Sequence, residues 1–335
     1  MVNIGSELMI KNLLPKTLRD RAYWEKTKLN IRQQDYSVTP PVFVLQFGKV
    51  GSTTIVNMLK DSELINPSHR VHYLSDSWLE KAEAWQKSNI YGTPDLENVP
   101  LAVSLRPEHL NDAEKVKAKK YFSSGAADLL NDNIKLGRVI NRKVAKNKDA
   151  NYKLITIVRD PVAREISGLF HNLGFLKDHH PLNHENGDLN IERVTSYLMD
   201  VFCNFTPKLD YLYEWFNEEI KEIFGVDIYS KSFDHNKGYH LIRHDNIELL
   251  AIKLENYDQH LVPAMSEFFD VEQITFELKH KNKAERRKNH EAYKQLTGNL
   301  VLPSEICEKI YSSQFCKYFF SKQERDILIN KWSKK

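Results

Sequence analysis

Two short apolar segments, each followed by a turn and a predicted helix, limit the fold of this chain more than any other feature. The segments Val42–Phe47 and Leu154–Val158 are rich in β-branched and aromatic residues and contain no charged residue. Such runs are typical of strands that are buried on both faces, as in a parallel sheet. The second run is followed by Arg159-Asp160-Pro161, and an aspartate before a proline is a strong signal for the start of a helix. Strands that alternate with helices predict an α/β fold with a central parallel sheet.

The remaining segments predict one domain with helical additions at both ends. A second short strand is expected at Val71–Leu74, and a long helix is expected at about 112–147. Two or three short strands are expected before Leu254, and the chain after them is predicted to be mainly helical. We therefore expect a single domain at 1–335, made of a helical N-terminal arm at 1–38, an α/β core at 40–260 and a helical C-terminal part at 261–335.

Composition limits the classes of function that the chain can have. It has 335 residues, of which 48 are basic and 45 acidic, so that the formal net charge is only +3. This near balance gives no reason to expect nucleic-acid binding, and any anion site must be local. The three cysteines, Cys203, Cys307 and Cys316, show no CxxC spacing, which favours a reducing, cytoplasmic location over a disulfide framework or a zinc site. No apolar stretch reaches the length of about 18 residues that a membrane span needs, so we expect no transmembrane segment.

The loop after the first strand, Gly48–Thr54, has the composition of a phosphate site. Its two glycines allow a tight turn that points backbone amides at an anion near a helix N-terminus. Ser52, Thr53 and Thr54 add hydroxyl donors, and Lys49 adds a mobile positive charge. The spacing is neither that of a Walker A loop, in which lysine directly follows the last glycine, nor that of GxGxxG. An ordinary glycine- and serine-rich turn is the alternative.

A second anion site is predicted where the later strand ends. Arg159 leaves that strand, and Ser167 lies about two turns along the helix that follows. An arginine fork and a serine hydroxyl could hold one phosphate between them. The alternative is that Arg159 pairs with a carboxylate such as Asp160 or Glu165, while Ser167 only faces the sheet.

Together, K-x-G-S-T-T after the first strand and R-D-P-x-x-R-x-x-S after the later one resemble two loops of the sulfotransferases that use 3′-phosphoadenosine 5′-phosphosulfate (PAPS). These are the 5′-phosphosulfate loop and the 3′-phosphate loop of that superfamily. The resemblance implies a P-loop-like core, PAPS as the donor and adenosine 3′,5′-bisphosphate as the product. We expect no metal, because a sulfuryl group carries less charge than a transferring phosphoryl group. The resemblance also implies these nucleotide-binding residues: Lys49, Val50, Gly51, Ser52, Thr53, Thr54, Arg159 and Ser167. Lys49 would also stabilise the charge that develops during transfer.

The C-terminal segment carries a further resemblance. Asn330-Lys331-Trp332-Ser333 is similar to the Asn-Lys-Trp-Tyr-Ser signature of a bacterial capsular polysaccharide synthesis family, although this chain lacks the tyrosine. That resemblance implies an acceptor hydroxyl on a carbohydrate or polysaccharide.

His72 is the candidate for the base that removes the acceptor proton. It is expected at the carboxyl edge of the second strand, a position similar to that of the histidine base in uronyl-type carbohydrate sulfotransferases. A histidine with an ordinary pKa of about 6.5 suits this role near neutral pH. The alternatives are a structural strand histidine among the 13 of the chain, and a carboxylate base as in other sulfotransferases.

Two other functions remain open on the sequence alone. A kinase-like phosphoryl-transfer enzyme would need Mg²⁺, for which Asp160 is the candidate aspartate, and a catalytically inactive nucleotide-binding protein in polysaccharide assembly would use the loops alone. The cluster His179, His180 and His184 indicates a polar loop tip rather than a metal site. The basic run Lys279–Lys288 could contact nucleotide, glycan or lipid, or form a solvated helix face.

Overall fold

A computed structural model gives the fold over most of the chain. It describes residues 16–46, 48, 50–62, 64, 66–87, 124–173, 182, 184, 186, 188–205, 210–273, 276–278 and 290–333. Lys49, the pair His179 and His180, and the basic run 279–288 lie outside the described residues. None of the helices in the described ranges is both long and apolar enough to span a bilayer.

The described strands form a single, mainly parallel sheet. They are β1 (Val42–Leu45), β2 (Ser68–Val71), β3 (Tyr152–Val158), β4 (Tyr239–His244) and β5 (Ile247–Lys253). Within the described ranges, five strands follow the order β2-β1-β3-β5-β4, in which only β4 runs antiparallel to its neighbour. The α/β fold class with a central parallel sheet is thereby confirmed.

Helices connect and cover these strands. They are α1 (Lys16–Gln33), α2 (Ser52–Asp61), α3 (Asp76–Lys87), α4 (Ser124–Lys146), α5 (Pro161–Leu173), α6 (Ile191–Phe205), α7 (Asp210–Phe216), α8 (Tyr257–Phe269), α9 (His290–Asn299), α10 (Ser304–Tyr311), α11 (Gln314–Phe319) and α12 (Lys322–Ser333). A π-helical turn, Asn217–Lys221, and a last α-helical turn, Glu222–Phe224, continue α7. Short 3₁₀ turns lie at Ile228–Ser230 and at Leu254–Asn256.

The central strands are buried on both faces, as their uninterrupted apolar runs predict. Alternate residues of β1 enter opposite cores: Phe43 and Leu45 face the larger one, and Val42 and Val44 face the smaller one. The smaller core lies under α2 and α8, and the larger one is covered by α4, α5, α6 and the C-terminal helices. The predicted packing of Tyr311, Phe315, Phe319 and Phe320 in a core is confirmed, since all four are buried in the larger core.

The second strand lies three residues earlier than the sequence predicts. β2 covers Ser68–Val71 rather than Val71–Leu74, so His72 follows the strand instead of lying inside it. β2 is an edge strand, and an edge strand carries polar residues at little cost because one side of it is open. The polar residues at the start of β2 therefore give no strand signal in the sequence. The apolar residues that follow β2 belong to the loop that leads into α3.

Candidate functional site

The predicted loops meet at one edge of the sheet. β1, β2, β3 and β5 are parallel, so their carboxyl ends lie at the same edge. The chain leaves β1 toward β2 on one side and returns to β3 on the other, which makes the β1–β3 boundary a topological switch point. Ligands of open α/β sheets bind in the crevice outside such a point. Gly48, Val50 and Gly51 lie on one side of it, and Arg159 lies on the other.

The first loop has the backbone conformation that its glycines allow. Gly48 and Gly51 both adopt positive φ, of 89° and 84°. Gly51 is the N-cap of α2 and supplies no side-chain bond to the first turn, which leaves that turn's leading amides without a side-chain cap. A Cβ at Gly51 would lie 2.6 Å from Leu254 Cδ1, so the segment after β5 packs directly on this loop.

The other predicted members of the first loop differ in exposure. Val50 and Ser52 are buried, with Val50 in the smaller core, and Thr53 and Thr54 are half-buried in the first turn of α2. The Thr54 amide donates to Gly51 O at 3.1 Å and closes the turn. The hydroxyls of Ser52, Thr53 and Thr54 therefore belong to one helix N-terminus beside the switch point.

The second loop is held by its neighbours on both sides. Arg159 is half-buried directly after β3, and Asp160 begins α5, with Oδ1 accepting from the Val162 amide at 3.1 Å. The Asp160 amide donates to Glu255 Oε1 at 2.7 Å, which ties the end of β3 to the segment after β5. The predicted aspartate cap of α5 is confirmed.

The carboxylates near Arg159 take part in contacts of their own. Glu165 pairs with the buried Arg164, and the Asp160 carboxylate accepts bonds from other groups. Arg159 also interacts with Glu255, a residue that is exposed as a whole. Burial of the Glu255 carboxyl raises its pKa, and the positive charge of Arg159 opposes that rise. Ser167 is buried in α5, on the second turn beyond Arg159.

His72 lies against the end of the first strand. Its Nε2 is 3.1 Å from Nε2 of Gln46, the buried residue that directly follows β1. The amide nitrogen is a donor, so this contact fits the imidazole tautomer that accepts at Nε2 and has its proton on Nδ1. His72 Nε2, the ring atom that could take a proton, therefore points toward the end of β1, where the first predicted phosphate loop begins.

The loop that carries His72 is held in place by residues of the π-helical turn and of α4. Glu219, buried in the π-helical turn, accepts from the amides of Leu74 and Ser75 at 2.8 and 3.2 Å and from Ser75 Oγ at 3.0 Å. Asn141 of α4 donates to Leu74 O at 3.0 Å. A Cβ at Gly137 of α4 would lie 2.1 Å from the carbonyl oxygen of Tyr73, so only glycine permits this approach.

Burial raises the pKa of Glu219 to about 8, although the bonds from Ser75 and Leu74 act in the opposite direction. A carboxyl group is thus held inside the protein, next to the loop of the candidate base. π-Helical turns often occur at functional sites.

Sequence reasoning misses three contributors: Gln46, Glu219 and Glu255. Gln46 and Glu255 each follow the end of a buried strand, and this signal could have identified them. Glu219 lies on a helix far from His72 in sequence, and no local pattern announces it. The structure brings 50–54, His72 and Arg159 to one sheet edge, with Ser167 on the helix behind Arg159.

Fold and site together define an α/β protein whose sheet carries a glycine loop, an arginine and a histidine at one carboxyl edge. Residues 188–321 match the model of a protein family described as "Putative capsular polysaccharide synthesis protein". The similarity to that family, predicted from Asn330–Ser333, is confirmed, but over residues that precede this segment. The matched stretch contains β4, β5 and Glu255, whereas both predicted phosphate loops, His72 and Asn330–Ser333 lie outside it. No curated protein and no solved structure matches the chain. The likeness to sulfotransferases therefore stays a prediction.

Proposed function

We propose that this protein is a sulfotransferase that moves a sulfuryl group from PAPS to a hydroxyl of a carbohydrate or polysaccharide. The observation that carries the proposal is the meeting of three predicted elements at the β1–β3 switch point. These are the positive-φ loop before α2, Arg159 after β3, and His72 against Gln46. The match of residues 188–321 to a polysaccharide synthesis family supports the class of acceptor.

The donor groups at this edge fit a nucleotide that carries phosphate at both ends. The leading amides and hydroxyls of α2 suit one anionic group, since a helix N-terminus and its dipole favour negative charge. Arg159, with Ser167 behind it on α5, suits a second anion on the other side of the switch point. The sequence places Lys49 in the first loop, where its charge would oppose the negative charge that builds on the leaving oxygen.

His72 receives the proton in the proposed reaction. When bound, PAPS supplies the sulfuryl group. The sulfur forms a bond to the acceptor oxygen while the bond between the sulfur and the 5′-phosphate oxygen breaks. The electron pair of the broken bond stays on that oxygen, which becomes part of adenosine 3′,5′-bisphosphate. His72 Nε2 takes the hydroxyl proton, for which the Gln46 contact at this atom has to give way. The contacts of Glu219 and Asn141 hold the loop in place, so the backbone that carries the imidazole needs little reorganisation at that step.

The kinase-like alternative depends on Asp160, and the structure disfavours it. The Asp160 carboxylate is buried and accepts from Tyr311, Val162 and Trp332. Its lone pairs already point at protein donors, whereas a Mg²⁺-binding aspartate presents oxygens to the ion. The inactive-binder alternative would gain from a His72 remote from the loops, yet His72 contacts the residue after β1.

A thermal-shift panel tests the proposed function. Adenosine 3′,5′-bisphosphate should raise the melting temperature without metal, because a ligand that binds only the folded state stabilises it. ATP, ADP, GTP and NAD, each with and without Mg²⁺, serve as comparison ligands. Stabilisation by ATP with Mg²⁺ alone would overturn the sulfotransferase proposal in favour of phosphoryl transfer.

Comparison of two nucleotides tests Arg159. Arg159→Ala should weaken binding of the bisphosphate by about 1.5–3 kcal/mol and binding of AMP much less, because the lost contact is charge-assisted. Arg243→Ala is the matched control, since Arg243 is exposed on β4 and pairs with Glu248 of the neighbouring strand. Equal losses for both nucleotides would give Arg159 a structural role.

A further inference from the structure

The carboxylate of Asp160 accepts hydrogen bonds from residues that are far away from it in the sequence. It is buried, with 1% of its surface exposed. Oδ1 accepts from the Tyr311 hydroxyl of α10 at 2.6 Å, and Oδ2 accepts from Trp332 Nε1 of α12 at 2.9 Å. Burial and the charge of Asp160 raise the pKa of Tyr311, so the phenol keeps its proton and remains a donor. A helix cap alone would need only the Val162 amide.

Helix α12 is attached to the ends of two neighbouring strands. Trp332 reaches Asp160 beyond β3, and Glu324 of the same helix accepts from Nζ of Lys253, the last residue of β5. Val158 and Lys253 are partners in the β3–β5 ladder, so α12 contacts the carboxyl ends of two paired strands. The carbonyl of Trp332 also accepts from the Leu302 amide at 2.7 Å, which fixes this end of α12 to the segment before α10.

Arg159 lies between fixed points on both sides. Val158 before it is held in the sheet, and Asp160 after it is held at its amide by Glu255 and at its carboxylate by Tyr311 and Trp332. The position of the Arg159 Cα atom therefore depends on two side chains of the C-terminal helices. Both act on it through the aspartate that follows it in the chain.

We propose that Tyr311 and Trp332 are positioning residues for Arg159, and that the C-terminal helices are thereby part of the nucleotide site. The proposal rests on the nucleotide-binding role proposed for Arg159. It explains the tryptophan of Asn330–Ser333 in physical terms, because the indole N–H holds the aspartate that follows the anion-binding arginine. A displacement of about 1 Å at such a site can cost as much as a hundredfold in function.

The test uses the full chain with Tyr311→Phe and Trp332→Phe, each of which removes one donor to Asp160 and keeps an aromatic ring. The matched control is Tyr318→Phe of α11, which removes a hydroxyl bound to Ile228 O and Lys231 O, away from Asp160. Calorimetry gives the dissociation constants of adenosine 3′,5′-bisphosphate and of AMP. Hydrogen exchange with mass spectrometry follows the segment 160–164, whose exchangeable amides are those of Asp160 and of residues 162–164, in the nucleotide-free protein.

We expect both variants to bind the bisphosphate about tenfold more weakly and AMP with little change. Exchange at residues 160–164 should accelerate, because the segment opens more often once a bond is lost. Tyr318→Phe should match the wild type in both measurements. Wild-type exchange and a wild-type ratio of the two affinities in Tyr311→Phe and Trp332→Phe would overturn the proposal, as would equal losses for both nucleotides.

The exchange measurement separates this proposal from the proposed function. If the wild type does not prefer the bisphosphate to AMP, the nucleotide assignment fails, and exchange alone decides whether the two side chains hold the Arg159 segment. Faster exchange then supports the anchoring, and unchanged exchange overturns it. If Trp332→Phe does not fold, Tyr311→Phe still decides the question, because it removes a single oxygen atom.

Discussion

A single imidazole receives the proton in the proposed reaction, so His72 is the residue whose loss should affect turnover most selectively. We expect His72→Ala to lower turnover by about a hundredfold or more, while nucleotide affinity changes little, because the ring meets the acceptor rather than the phosphates. The wild-type rate should also fall on the acid side, as the imidazole takes up a proton. Steady-state kinetics and calorimetry measure both effects.

His244→Ala is the control for that prediction, since His244 is an exposed histidine at the end of β4. Near-normal turnover in His72→Ala would move the base elsewhere, most simply to a carboxylate. A loss of folding and of nucleotide binding together would instead make His72 a structural group.

Gly51 is a residue whose substitution should affect both stability and nucleotide binding. Gly51→Ala should lose about 1–2 kcal/mol of stability from its positive φ and should also weaken bisphosphate binding, because its Cβ collides with Leu254 Cδ1 and displaces the loop. Gly225→Ala is a matched control: its φ is +73°, and nothing lies within 4 Å of an added Cβ. Chemical denaturation and calorimetry on both variants separate the two effects. Equal nucleotide affinities in the two variants would contradict the loop's role.

At the scale of elements, the π-helical turn makes stability depend on pH through Glu219. Its folded-state pKa of about 8 lies above the ordinary value of 4.5, so the folded protein binds a proton more tightly than the unfolded chain. The free energy of unfolding should therefore fall as pH rises between these values, by on the order of a few kcal/mol in total. Tyr73 and Glu218 are the neighbouring groups that interact electrostatically with Glu219.

Glu219→Gln should lack this fall, because an amide does not titrate in that range. Urea unfolding at pH 5 and pH 8 measures the difference. Glu218→Gln, a change in the same turn, should keep most of the fall, because burial rather than the charge of Glu218 is the main cause of the raised pKa of Glu219. Parallel pH profiles for the wild type and Glu219→Gln would show that the buried carboxyl does not exchange a proton on unfolding.

Elements that bury a continuous apolar run can be predicted from the sequence, and elements defined by their environment cannot. β1, β3 and the start of α5 lie where the apolar runs and the Asp160-Pro161 pair predict them. The prediction for β2 is wrong by three residues because an edge strand tolerates polar residues, and the π-helical turn has no sequence signature of its own. The carboxyl edge could be predicted because loops that follow parallel strands collect there.

Across the whole molecule, an ion pair between the buried Lys253 and the half-buried Glu324 joins the sheet to α12. Lys253 is fully buried and packs its ammonium group 5.7 Å from the ring centroid of Phe233. Glu324→Gln removes the negative charge that faces this ammonium, which should cost about 3 kcal/mol. The double variant Lys253→Met/Glu324→Gln should recover part of the loss, because no charge remains buried.

Urea denaturation measures the free energy of unfolding of the wild type, of Glu324→Gln and of the double variant. Lys221→Met is the control. Lys221 and Asp227 form an exposed pair, so its loss should cost less than about 1 kcal/mol. A Glu324→Gln variant as stable as Lys221→Met would show that the pair does not attach α12 to the sheet.

Contacts on this scale could not be predicted from local patterns. Tyr311 is expected in the core and lies there, but its bond to Asp160 joins residues 151 positions apart. The resemblance at Asn330–Ser333 identifies a segment, and only the fold shows that its indole meets the residue after Arg159. Sequence reasoning thus finds the groups expected to touch ligand and misses those that hold them.

The bond between Asp160 and Trp332 also sets an order of events on the ribosome. Its two residues are 172 positions apart, and translation at 5–20 residues per second separates their synthesis by roughly 10–30 s. During that interval β1, β2 and β3 have already left the peptidyl-transferase centre, while the indole that holds Asp160 does not yet exist. In nascent chains arrested before Trp332, the Arg159 segment should therefore lack the hydrogen bond that holds Asp160. The anion site should be completed after the strands that flank it.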